Sequence, residues 1–212
     1  MGLLLDKAHR LTIYDVPKGG GTTIRMWMTY NETHNLNLKT IGEGYVSQDV
    51  DSYKHLKNRY LVEWFRPTSG TKIAIKRDPI KRFISCYKDK IIREAVDNRT
   101  ASWTIDKIID DFPKALDKHP RIHNKKNNIR YLKYHFAPMV KHLGTDPSYY
   151  DEVFWLSEMD TRIKEYLEDT WKTKLPPLHC RSQKKSKSIT LTDTQKKKIR
   201  EIYRDDYKIW CP

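Results

Sequence analysis

Residues 15–27 read DVPKGGGTTIRMW, and this stretch decides the fold. Three consecutive glycines stand out in a chain with only 8 Gly among 212 residues. A lysine precedes them and two threonines follow. Upstream, LTIYDV at 11–16 alternates loosely and is rich in β-formers, which predicts a strand. Downstream, TTIRMWMTY at 22–30 predicts a helix that opens on hydroxyl residues. A strand, a glycine turn and a helix in that order open an α/β nucleotide-type fold.

Such a turn aims free backbone N–H groups at whatever lies above the helix N-terminus, where the helix dipole adds positive charge. Glycines let the backbone approach closely, and successive N–H groups can form an anion nest. Lys18 adds a full charge, and Thr22 and Thr23 add hydroxyl donors. The stretch therefore reads as a phosphate or sulfate cradle. It is not the nucleotide-hydrolysing loop G-x-x-x-x-G-K-[ST], because no Gly-Lys dipeptide occurs anywhere in the chain. The dinucleotide pattern G-x-G-x-x-G also fails, since Ile24 stands where the last glycine would fall.

A second strand–turn–helix follows at 71–96, TKIAIKRDPIKRFISCYKDKIIREAV. KIAI is a short buried-strand candidate. Asp78-Pro79 marks a helix start with proline at the first position. Ile80, Phe83, Ile84, Tyr87, Ile91 and Ala95 then recur at helical spacing. Farther on, Ile105, Ile108, Ile109 and Phe112 make one apolar helix face. The helical pattern over 129–143 breaks at Pro138, and VFWL at 153–156 predicts another buried strand. Ser157 is expected to cap the helix that carries Met159, Ile163, Tyr166, Leu167 and Trp171. Thr192 and Gln195 form a capping box before a last helix with Ile199, Ile202, Tyr203, Tyr207 and Trp210 on one side. Alternating strands and helices predict a P-loop-like, three-layer α/β fold with a central, mostly parallel sheet flanked by helices. The chain length fits one domain over 1–212, with 97–130 as a lid or acceptor-facing insert and 181–190 as a basic loop.

The charge balance is 41 Lys+Arg against 27 Asp+Glu, a net +14, which favours anionic partners. Only 38% of residues are hydrophobic, but 6 Trp, 13 Tyr and 5 Phe each bring a large apolar area to a core. Cys86, Cys180 and Cys211 are far apart and include no C-x-x-C, which argues against a disulfide framework or a structural zinc site. His119 and His123 have ligand spacing, but Pro120 intervenes and no third ligand is evident, so no metal is expected. The apolar run MGLLLD is too short for a signal peptide or membrane span, and the expected location is cytoplasmic. On that expectation the Asn-x-Thr sequons at Asn31 and Asn98 are chance matches.

Pro17-Lys18-Gly19-Gly20-Gly21-Thr22-Thr23 resembles the P-K-x-G-G-T-[ST] loop of the sulfotransferase family. In that family the loop grips the 5′-phosphosulfate end of 3′-phosphoadenosine-5′-phosphosulfate (PAPS), which is released as PAP. Arg77-Asp78-Pro79-Ile80-Lys81-Arg82-Phe83-Ile84-Ser85-Cys86-Tyr87 resembles its R-D-P-x-x-R-x-x-S-x-Y segment. The resemblance implies that Arg77 and Ser85 hold the cofactor's 3′-phosphate. Asp151 to Trp171, and IREIYRDDYKIW at 199–210, resemble the last strand and closing helices of the carbohydrate (glycan) branch. His179-Cys180-Arg181-Ser182 stands where some members carry His-x-Asn-x-Ser, which places Arg181 near the 3′-phosphate or the adenosine. Gly19 occupies the loop's variable position and reads as the most dispensable of the three glycines, while Gly20 and Gly21 read as bare to admit the phosphosulfate.

The implied activity is in-line transfer of a sulfuryl group from PAPS to a hydroxyl acceptor. That acceptor is expected to be a glycan, and an acidic one given the charge. Lys18 would stabilise the leaving oxygen, and a general base would take the acceptor's proton. His55 is the preferred base, because it lies ahead of Arg77 about where histidine-using glycan sulfotransferases carry theirs. Glu43, Glu63 and His135 are its rivals. Arg99 and Trp103 are candidates for acceptor contact, as is the basic run Lys184, Lys185, Lys187 and Lys196 to Lys198. The alternatives are a nucleotide-dependent phosphotransferase, which lacks a Walker-type lysine here, and a non-catalytic protein binding nucleic acid or another anion, which the charge alone permits.

Overall fold

A computed structural model describes residues 2–6, 8–34, 70–93, 103–116, 128–177 and 188–212. The chain falls into two compact units. Unit 1 is Met1–Lys76 with Ser148–Ser182, and unit 2 is Arg77–Pro147 with Gln183–Pro212.

Unit 1 is built on a four-stranded sheet in the order β1 (Gly2–Asp6), β2 (Leu11–Asp15), β3 (Thr71–Lys76), β4 (Glu152–Trp155). β2, β3 and β4 run parallel, with Asp15 opposite Ile75 and Lys76 opposite Trp155, so the mostly parallel α/β sheet is as expected. β1 is an antiparallel edge strand, where the sequence alone offers only a short apolar run. Its link to β2 turns without glycine: Asp6 Oδ1 accepts the His9 N–H at 3.2 Å, and Arg10 takes the left-handed conformation (φ 51°).

Period-two alternation sends Leu11, Ile13, Ile73, Ile75 and Phe154 to one face. There they cluster with Ile24 and Trp27 of α1 (Gly21–Thr33) and with Ile163, Leu167 and Trp171 on the helical segment after β4. That segment winds through a 3₁₀ turn (Leu156–Glu158) and a wider π turn (Met159–Ile163) into an α-helix, Lys164–Trp171. Both tryptophans also satisfy their N–H groups: Trp27 donates to Pro176 O at 3.0 Å and Trp171 to the Asp6 carboxylate at 2.6 Å. Ser157 does not cap this segment. The Glu158 carboxylate reaches back instead and accepts the Trp155 N–H at 2.7 Å.

Unit 2 is helical. α2 (Pro79–Tyr87) continues into a π turn (Lys88–Arg93), and α3 is Ile105–Leu116. α4 (Asn128–Phe136) and α5 (Val140–Leu143) are separated at Pro138, as the sequence predicts. With the helix after β4 counted as α6, α7 (Asp193–Ile202) and α8 (Arg204–Trp210) close the chain. The Thr192–Gln195 capping box is present in both directions, at 3.1 and 3.2 Å. Phe83, Ile108, Ile109, Leu132, Phe136, Ile199 and Tyr203 form the core of this unit. Among the described residues no helix is long and apolar enough to cross a membrane.

Candidate active site

In unit 1 the chain leaves β2 at a buried carboxylate, Asp15, and turns through residues 16–20 into α1. The Gly19 N–H donates to Val16 O at 2.7 Å and closes the turn. Lys18 and Gly20 on either side both take positive φ, 70° and 93°. For a non-glycine residue that conformation costs on the order of 1–2 kcal/mol, so Lys18 is held there by its surroundings. Gly20 is the N-cap of α1 and has no side chain with which to cap it, and no acidic residue stands in the helix's first turn. The helix therefore begins with a positive backbone end, a half-exposed lysine before it, and half-exposed Thr22 and Thr23 within its first turn.

The glycines are bare for reasons inside the protein. A Cβ at Gly21 would collide with the Asp15 carboxylate and lie 3.3 Å from Arg25 Nη1. A Cβ at Gly20 would meet Met159 and would sit 2.7 Å from Leu156 Cδ1. Gly19 is not the open position that its place in the pattern suggested, since a Cβ there would lie 2.8 Å from Val16 O. Each glycine is thus required by a neighbour that belongs to β2, to the turn itself or to the turn after β4.

In unit 2, Asp78 caps α2 by accepting the Lys81 N–H at 2.7 Å, with Pro79 at the first helical position. Arg77 immediately precedes this cap. Burial, opposed by Cys86 and Asp78 and reinforced by the like charge of Arg82, pulls its guanidinium below the usual arginine pKa. It stays charged, which leaves a partly desolvated cation beside a helix N-terminus. Ser85 lies half-buried in the second turn of the same helix.

The whole of this architecture sits inside one sequence pattern: residues 1–210 match the Sulfotransferase family. The chain belongs to the sulfotransferase family. Comparison with curated proteins and with solved structures gave no match.

The family consists of PAPS-dependent sulfotransferases, so the chain is a sulfuryl-transferring enzyme with PAPS as donor and a hydroxyl-bearing acceptor. The anionic donor suits what the structure displays. Unit 1 gathers Lys18, Gly20, Gly21, Thr22 and Thr23 in one loop, and unit 2 carries Arg77 and Ser85 on either side of the α2 cap. Among the described residues no group of three or more His, Cys, Asp or Glu is placed to hold a metal ion. His55, Arg181, Glu43, Glu63, Arg99, His119 and His123 lie outside the described residues, as do Lys184, Lys185 and Lys187.

Of the remaining candidates, His135 is bound into the core of unit 2 through its backbone, its carbonyl accepting from Arg82 and from the Cys86 thiol. Trp103 packs against the same core and has Lys107 over its ring at 5.4 Å, so packing accounts for it. In the basic run, Lys196 pairs with Asp193 and Lys198 with Asp110, both at 2.9 Å on the surface.

The sequence marks Tyr203 only as part of the packing side of the last helix and gives Arg82 and Asp206 no role of their own, whereas the structure gives all three one. Arg82 is fully buried and donates Nη1 to His135 O (3.2 Å) and Nη2 to Ala137 O. Tyr203 donates its hydroxyl to Phe136 O at 2.6 Å, and Asp206 accepts the Met139 and Val140 N–H groups at 2.7 and 2.9 Å. Within IREIYRDDYKIW at 199–210, Tyr203 and Asp206 thereby clamp the 136–140 turn. The signal lay in the recurring polar residues on an otherwise apolar helix face.

Proposed function

We infer that this chain, acting as one sulfotransferase-like domain, transfers the sulfuryl group of PAPS to a hydroxyl of a carbohydrate acceptor. The observation that carries the reading is the loop of unit 1, where Lys18 and Gly20 in left-handed conformations flank Gly19 at an uncapped helix N-terminus. Lys18, Gly20, Gly21, Thr22 and Thr23 would hold the phosphosulfate end of PAPS. Arg77 and Ser85 would hold its 3′-phosphate, with Arg181 beside them.

When bound, PAPS supplies the activated sulfuryl group. Lys18 offers positive charge where negative charge grows on the leaving oxygen. Backbone N–H groups at the start of α1 add preorganised donors that need not reorient during the reaction. His55 is the proposed base for the acceptor hydroxyl, being the side chain type whose ordinary pKa suits proton uptake near neutral pH.

The carbohydrate assignment is supported by the glycan-branch resemblance of the last third of the chain. The net charge of +14 further favours an acidic glycan. The test is transfer of labelled sulfate from PAPS across a panel of neutral glycans, acidic glycans, phenols and sterols. Product on an acidic glycan supports the reading, and product confined to phenols or sterols contradicts its carbohydrate part.

A further inference from the structure

We propose that Arg82 is a positioning residue for the anion site, the brace through which the closing helices hold α2 in register. This rests on the reading of Arg77 and Ser85 as holders of the 3′-phosphate, and it concerns unit 2 alone.

Arg82 lies between those two residues in sequence, and on the helix it is the i−3 neighbour of Ser85. Its side chain is wholly buried, which for an arginine is rare and costly unless its donors are used. Two of them are, and both go to main-chain carbonyls, His135 and Ala137, at the exit of α4. Cys86, one turn on along α2, donates its thiol to the same His135 carbonyl at 3.1 Å. α2 is therefore bonded to one short stretch of backbone by two side chains at i, i+4 spacing.

The closing helices grip that stretch independently. Tyr203 bonds Phe136 O, Asp206 bonds the N–H groups of Met139 and Val140, and Trp210 donates to Gly144 O at 3.1 Å. Arg82 also couples directly to this side, its guanidinium lying 5.2 Å from the centre of the Tyr203 ring. Burial raises the Asp206 carboxyl above the usual carboxylate range while the Arg82 charge counteracts it, so the two groups lie within one field. Arg82 is thus the point where α2, the 135–140 turn and the α7–α8 junction are tied together.

A helix that carries an anion-binding arginine before its cap and a serine in its second turn must not rotate or slide if both are to reach one phosphate. An error of about 1 Å in such a constellation can cost on the order of 10²-fold. Arg82 is well suited to prevent this, because its rigid planar fork holds two carbonyls in a fixed geometry, whereas a lysine's donors rotate on a flexible stem.

The experiment is calorimetric titration of the full chain with PAP, together with initial rates across a range of PAPS concentrations. Wild type, Arg82→Met, Arg82→Lys and Tyr203→Phe are measured below the melting midpoint of the least stable. Arg82→Met is expected to raise both the Kd for PAP and the KM for PAPS about tenfold while kcat falls less than about threefold, with Arg82→Lys intermediate. A folded Arg82→Met that has a lower midpoint or active fraction but unchanged Kd and KM overturns the proposal. If Arg82→Met does not fold, Tyr203→Phe decides. It keeps the ring over the guanidinium and loses only the bond to Phe136, and an unchanged PAP affinity overturns the proposal, whereas a rise of about threefold supports it. Failure of the wild type to bind PAP is a separate result, visible before any variant is compared, and overturns the cofactor reading on which this inference stands.

Discussion

The loop at residues 16–23 and the segment at residues 77–87 are both junctions from a strand into a helix, and they are built in opposite ways. The loop works with backbone. Its three glycines are each enforced by a neighbour, Val16, Leu156 with Met159, or Asp15, and its only full charge is Lys18 in a left-handed conformation. The segment works with side chains. Its helix is capped by Asp78, its two proposed ligands are Arg77 and Ser85, and its alignment depends on Tyr203 and Asp206 more than a hundred residues later in the chain. A backbone site tolerates almost no added atom, and two of the three glycines here are enforced from within six residues. A side-chain site tolerates exchange of its surroundings until the brace that aims it is lost.

The largest expected effect lies outside both regions, at the proposed base. His55→Ala should lower turnover by about 10²-fold or more while PAP affinity stays within a few-fold. Wild-type turnover in that variant would remove His55 from the mechanism.

Lys18→Ala and Arg77→Ala come next, and they should part company by ligand. Lys18→Ala should weaken PAPS binding and also slow turnover, by about 10–100-fold in kcat/KM, because its partner is charged before and during transfer. Arg77→Ala should act chiefly on binding, and it should spare adenosine 5′-phosphosulfate, which lacks the 3′-phosphate. Equal losses on both donors for Arg77→Ala would erase the distinction between the two regions.

Gly21→Ala should break the loop sterically. The added methyl meets a buried carboxylate, and overpacking of this kind costs about 1–3 kcal/mol of stability, readable as a lower melting midpoint. A fully stable, fully active Gly21→Ala would contradict the packing that is described for the loop.

The smallest effect concerns Glu158, whose hydrogen bond to Trp155 orders the turn that abuts Gly20. That bond, and then the one to Arg162, hold its carboxyl below the usual range. A carboxyl with a depressed pKa in the fold adds stability above its unfolded pKa and loses it as pH falls through the folded value. Glu158→Gln should therefore be slightly less stable than wild type near neutral pH and should lose less on acidification. Identical acid limbs in melting against pH would exclude the contribution.

What was legible in the sequence follows the same division. The strand–glycine–helix at 11–30, the Asp78-Pro79 start, the break at Pro138 and the Thr192–Gln195 box were readable because each is fixed by contacts within a few residues. β1 was not, because its hairpin turn uses Asp6 and a left-handed Arg10 in place of glycine. Ser157 has the residue type of a cap, yet the helical segment already begins at Leu156, and the Glu158 carboxylate reaches back to the Trp155 N–H. The reason for Gly20 was hidden as well, since Leu156 and Met159 are distant in sequence. The same holds for Arg82: a buried arginine bonded to two carbonyls has no local periodicity by which to be found.

The central claim is that Arg77, in the segment at 77–87, holds the 3′-phosphate of the donor. Calorimetry of wild type and Arg77→Ala with PAP and with adenosine 5′-monophosphate tests it most directly. The account predicts that wild type prefers PAP by about 10-fold or more, in keeping with a charge-assisted contact, and that Arg77→Ala binds the two nucleotides almost equally. An Arg77→Ala protein that still prefers PAP by the wild-type margin would contradict it.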